Sequence, residues 1–149
     1  MSLRGDLIRL GINCTFSNVI LGVPLYKYMP VPAAMTTAAT ITSSNLTKGI
    51  ITGTHAAGAT QAYTLPLGTD FDEDNEQRGI VIGSSFDFTI INLSVDALDT
   101  ITLTANTGFT IVGQPIIHAN EHLTSYYCNM GTFKVRKTAA NTFVAYRTS

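Results

Sequence analysis

The residues best suited to chemistry lie in PIIHANEHLTS, residues 115–125, where His118, Glu121 and His122 spell H-x-x-E-H. In one class of metalloproteases that spacing holds zinc. On a helix both imidazoles share a face, and the carboxylate sits beside the metal-bound water. Here Pro115 precedes the motif, Asn120 interrupts it, and strand-like patterns flank it on both sides. Zinc also needs a third protein ligand, in that class an acidic residue downstream, yet no Asp, Glu or His follows His122. The stretch therefore reads as a turn between strands, with His118 and His122 partly exposed and no metal assigned.

The run DFDEDNEQ, Asp70 to Gln77, gathers five of the ten acidic residues and opens D-x-D-x-D like a calcium loop. Its sixth position is Asn75 where such a loop needs glycine. Its twelfth is Val81 where a bidentate glutamate belongs. It is expected to be a solvated acidic loop between strands. Nucleophilic catalysis finds no G-x-S-x-G, and no phosphate loop or dinucleotide fingerprint occurs. No catalytic residue and no cofactor is assigned. Three sequons (Asn13, Asn45, Asn92) and the integrin tripeptide Arg4-Gly5-Asp6 are short patterns that a chain this rich in Asn, Ser and Thr produces by chance.

The elements that must position any site come from composition and period. The 149 residues are 45% apolar, enough for one domain with a real core, but only 13% are charged, about half the usual share. The net charge of -1 gives no electrostatic footprint for nucleic acid. Apolar residues are dispersed among Thr, Ser, Asn and Gly, and no run of roughly 18 to 20 suits a membrane helix. Threonine, at 22, is the commonest residue, and branched Cβ atoms favour a pleated surface. Cys14 and Cys128 fit neither a zinc knuckle nor a disulfide scaffold. They read as free thiols, with a single disulfide left open.

Residues 1–35 differ from the rest. They hold three of the five prolines and mix Leu, Ile and Val with Arg4, Arg9 and Lys27. Asp6, Asn13 and Asn18 spoil a signal peptide. The segment is expected to be an extended docking arm, the alternative being an ordinary N-terminal strand pair. Its anchoring side chains would be Leu7, Ile8, Leu10, Ile12, Phe16, Val19, Ile20, Leu21, Val23, Leu25 and Tyr26. Each large apolar side chain buried on a partner contributes on the order of 1.5 to 3 kcal/mol before ordering costs.

From residue 36 the pattern turns to short strands, around Ile41, Ile50–Thr52 and Tyr63–Leu65. In IVIGSSFDFTIIN a strand, a break at Gly83–Ser84 and a second strand follow, with Phe86, Phe88 and Ile90 on one face. DTITLTANTGFTIVG predicts a hairpin turning at Gly108, and GTFKVRKTAANTFVAYRTS predicts another turning at TAAN. No long amphipathic helix is expected. Short strands at this spacing predict an all-β chain built as an antiparallel, jelly-roll-like β-sandwich over residues 36–149.

GIITGTHAAGATQAYTLPLGTDFD, GSSFDFTIINLS, DTITLTANTGFTIVG and FKVRKTAANTFVAYR, in that order, resemble a domain recurring in structural proteins of tailed bacteriophages and other viruses. It occurs there in capsid decoration proteins, head fibres and similar appendages. The resemblance spans roughly 110 residues from about Ala39 and excludes the first 35. It implies a β-sandwich, often trimeric, with no enzymatic activity. The expectation is a virion structural protein, a decoration or cement protein on the outer capsid. Its partners would be the major capsid protein or another virion protein, in a homotrimer, with no nucleic acid and no membrane. The rivals are a tail fibre, tailspike or baseplate component touching a host glycan through Tyr126 and Tyr127 beside Asn129, and a small metallohydrolase using His118, His122 and the acidic run.

Overall fold

The computed structural model describes residues 29–119 and 129–149. Strands are β1 (Ala33–Met35), β2 (Ala39–Thr40), β3 (Ile50–Gly53), β4 (Thr60–Thr64), β5 (Ser85–Asn92), β6 (Thr100–Thr104), β7 (Phe109–Val112), β8 (Ile116–His118), β9 (Met130–Ala139) and β10 (Thr142–Arg147). Two short helices intervene, α1 (Ser43–Thr47) and α2 (Gly68–Asn75), the second running into a 3-10 turn at Glu76–Arg78. The protein is thus mainly β. Among the described residues no helix is long and apolar enough to cross a membrane.

The strands form two sheets, ordered β1-β3-β5-β9-β10-β7 and β2-β4-β6-β8. From β1 to β8 the chain changes sheet after every strand. The return legs of its first two turns carry α1 and α2. Successive members of one sheet are therefore a full crossover apart and run parallel: β1, β3 and β5 in one sheet, β2, β4 and β6 in the other. Among the described residues antiparallel pairing appears only where β9 joins β5 and β10, and where β8 joins β6. The expected antiparallel, jelly-roll-like arrangement is corrected to mixed sheets.

The predicted hairpin at Gly108 shows how the difference arises. The turn is present: Gly108 has a φ of 88°, and the Phe109 amide donates to the Asn106 carbonyl at 2.8 Å. But β6 stays between β4 and β8, while β7 pairs parallel with β10 in the other sheet. The same turn chemistry serves a reversal within a sheet and a crossing between sheets. The C-terminal hairpin is as predicted, with β9 antiparallel to β10 and Asn141 at a φ of 55° in the turn.

A second correction concerns residues 80–82, expected as a strand ahead of the break at Gly83–Ser84. They form a turn bracketed by left-handed Gly79 and Gly83, in which the Ser84 amide donates to the Val81 carbonyl. Val81 and Ile82 are each 65% exposed. A third concerns the acidic run, which is α2 and its 3-10 extension rather than a loop. Its fold is set by the one aromatic it contains. Phe71 is fully buried, stacked on Phe86 at 5.5 Å and edge-on to Phe109 and Phe143 at 5.8 and 5.2 Å. Residues 33–35, placed with the arm by sequence, form β1, with Ala33 in the core.

One apolar cluster draws on both sheets. Ile51, Phe88, Ile90, Phe133, Val135 and Phe143 come from the larger and Tyr63, Ile101, Leu103 and Ile117 from the smaller. Alternation along each strand places them there: in β5, Phe88 and Ile90 are buried while Asp87 and Thr89 are not. Phe71→Ala is expected to cost about 3–5 kcal/mol, because three facing rings cannot collapse into the space. Urea unfolding measures it.

Candidate interaction surface

The described residues bring together a groove and the strand beside it. Among the described residues strand β1 is one edge of the larger sheet and pairs only with β3. Its end is pinned from the facing sheet. The Tyr63 hydroxyl lies 3.1 Å from both the Met35 carbonyl and His55 Nε2, and the Thr54 amide also donates to Met35 O at 3.1 Å. His55 Nδ1 lies 3.4 Å from the Thr36 carbonyl. Burial pushes the Tyr63 phenol up to about 12, so it stays neutral and able to donate throughout the physiological range. Ahead of β1 the chain leaves the core: Val31 is 81% and Met29 54% exposed. Pro30 and Pro32 carry no N–H for a ladder.

Met29 and Pro30 form one wall of an open groove of about 730 Å³. Ile50, Ile80 and the half-buried Phe86 give it apolar surface, and Lys48, Arg78 and Asp87 stand on its rim. The three charges are not equivalent. Asp87 pairs with Lys134 at 2.8 Å, whereas Lys48 and Arg78 have no carboxylate partner among the described residues. A smaller slot of about 90 Å³ shares Ile80, Ser85 and Phe86 with the groove and reaches Phe143.

The acidic run does other work. Asp72 accepts from Lys137 Nζ and from the Asn141 amide at 2.9 Å, fastening α2 to the β9–β10 hairpin. Both side chains are largely buried, at 11% and 14% exposure. Burial alone would raise the Asp72 carboxyl. The Lys137 hydrogen bond, the Asn141 amide and the Lys137 charge outweigh it and hold the group below the usual carboxylate range. At the same junction a Cβ on either Gly68 or Gly108 would strike the Asn141 carbonyl oxygen, so two glycines let three turns meet.

At the other end of β5 lies a buried polar knot. Asn92 is fully buried and donates to the carbonyls of Asp99 and Ile117. Its own oxygen accepts from the Ser94 amide at 3.1 Å, and Ser94 Oγ accepts from the His55 amide at 3.0 Å. Asp99 Oδ1 accepts from the Ala59 amide at 2.7 Å. These bonds hold the 54–59 and 93–99 connections, and they bury the Asn92 sequon away from any glycan-transferring enzyme. Asn45 sits half-exposed in α1.

His118 ends strand β8, paired with Thr100, so the first imidazole of H-x-x-E-H lies on a strand and not on a helix. Glu121 and His122 lie outside the described residues, as do Tyr126, Tyr127, Cys14, Cys128 and the whole set from Leu7 to Tyr26. Among the described residues no three His, Cys, Asp or Glu side chains gather as a metal site. Sequence reasoning missed Lys48 and Arg78. They are lone cations thirty residues apart, and only the return legs after β2 and β4 bring them to one rim. Comparison of the chain with protein-family models, with curated proteins and with solved structures returns no match.

Because its native pKa is depressed, Asp72 contributes stability that is complete above the ordinary carboxylate value, about 4, and is lost as pH falls below it. Urea midpoints at pH 7 and pH 3 should differ less in Asp72→Asn than in the parent. At pH 7 Asp72→Ala should cost on the order of 3 kcal/mol by stranding Lys137, and a paired Lys137→Met change should recover most of it.

Proposed function

We propose that the protein is a structural protein of a virion, and within that class a capsid decoration or cement protein that attaches through its N-terminal segment. The observation that carries this is the way the chain enters the domain. The described core begins at Ala33 on an edge strand, and the residues just ahead of it are exposed. An apolar segment holding Leu7, Ile8, Leu10, Ile12, Phe16, Val19, Ile20, Leu21, Val23, Leu25 and Tyr26 leads into that edge. Such a segment suits burial on a neighbour in a symmetric lattice, where many weak contacts add to avidity.

Several features support the same reading. The chain is weakly charged and rich in Thr. The two sheets, sharing one core, would form a β-sandwich. Three copies would cover the edge strands β1 and β7, making a homotrimer on the capsid surface with the major capsid protein or another virion protein as partner. No enzymatic role, metal or cofactor belongs to this proposal. The glycan-binding alternative turned on Tyr126 and Tyr127, and nothing in the described residues favours it.

The test is deletion of residues 1–28. The truncated domain should unfold cooperatively within a few degrees of the full chain, yet bind purified particles at least a hundredfold more weakly. Truncated protein that still decorates particles at full occupancy would remove the segment from the attachment.

A further inference from the structure

The groove beside Met29 has features the attachment proposal does not use. Its lining is mainly apolar, with Ile50, Ile80 and Phe86 beside the buried Asn75, its volume of about 730 Å³ falls in the range of ligand-binding clefts, and it carries two cations without an ion-pair partner among the described residues. Asp87 does not neutralise them, because Lys134 already holds it. An arginine left without a partner at the edge of apolar surface is preorganised for carboxylate, its planar fork taking both oxygens. Beside the floor, the 90 Å³ slot against Phe86 and Phe143 is about the size of one aliphatic side chain.

We propose that this groove seats an extended segment of a partner protein in which acidic residues flank an apolar one. The carboxylates would meet Lys48 and Arg78, and the apolar side chain would enter over Ile80 and Phe86. Charge complementarity selects this occupant. A basic segment would face Lys48 and Arg78, neither of them ion-paired among the described residues, while the exposed carboxylates of the acidic run do not line the groove; like charges across an interface act against the wrong partner. The chain's own residues 1–28 carry Arg4, Arg9 and Lys27 against Asp6, the wrong sign for the rim. The inference stands apart from the virion proposal, since it concerns which peptide chemistry the groove accepts and not where the protein resides.

The experiment uses the full chain and three fluorescein-labelled peptides: alternating Asp and Leu, alternating Lys and Leu, and alternating Asp and Ser. Fluorescence anisotropy should show the Asp/Leu peptide binding at least tenfold more tightly than the other two. Lys48→Glu combined with Arg78→Glu changes two rim side chains outside the core. It should weaken the Asp/Leu peptide at least tenfold and make the Lys/Leu peptide the better ligand. Binding should also weaken as salt rises. Failure of the Asp/Leu peptide to bind at millimolar protein would overturn the proposal. So would an Asp/Ser peptide that binds equally well, or affinities the double reversal leaves unchanged. None of these results bears on particle attachment, which the deletion of residues 1–28 reads separately.

Discussion

The structure depends on Phe71. Around it meet a helix, α2, and three strands, β5, β7 and β10, each contributing or receiving one ring: Phe86, Phe109 and Phe143. The strands come from distant parts of the chain; β7 is one edge of their sheet, and β5 and β10 lie inside its order. Without this plug, the return leg from β4 to β5 would be an acidic segment held mainly through Asp72. With it, the leg becomes a helix that buries Phe71 together with Gly68 and Asn75 and leaves Asp70, Glu73 and Asp74 exposed. Asp72 then adds a second fastening through Lys137 and Asn141, so the leg is tied at adjacent residues to the same hairpin.

Fixing that leg fixes the groove. Arg78 and Ile80 lie just beyond α2, and Lys48 and Ile50 just beyond α1. The rim is therefore built from the ends of two return legs. Its floor comes from the first residues of β3 and β5. A groove of this kind is a by-product of the winding: wherever a chain returns from one sheet to the other over a short helix, the helix ends and strand starts leave a concave seam. What makes this seam distinctive is the chemistry on it, two unmatched cations over Phe86 and Ile80.

Much of this was legible in the sequence. The alternation in β5, the position of β3, the turn at Gly108 and the whole C-terminal hairpin follow from apolar period and turn residues. Pairing was not legible. A two-residue strand such as β2 carries no period, and a glycine turn does not say whether the next strand joins its neighbour or crosses to the facing sheet. Residues 80–82 depart from the strand their composition predicts because Ile80, Val81 and Ile82 are strand formers, and positive φ at Gly79 and Gly83 overrides that preference. The helix at Asp70 was hidden because five carboxylates mask one decisive phenylalanine. The rim cations had no sequence signal, since only tertiary winding brings residues 48 and 78 together.

The proposed function divides between two parts of the chain: a strand-rich domain with one core among the described residues, and an apolar N-terminal segment that leads to an edge strand pinned by Tyr63. The proposal that this division serves attachment to a viral particle makes a direct demand on composition. Quantitative mass spectrometry of gradient-purified virions should find the protein at a fixed ratio to the major capsid protein, in a simple proportion set by lattice symmetry, and unchanged by further purification. Virions that lack it, or that carry it at a ratio falling with each purification step, would contradict a structural role on the particle.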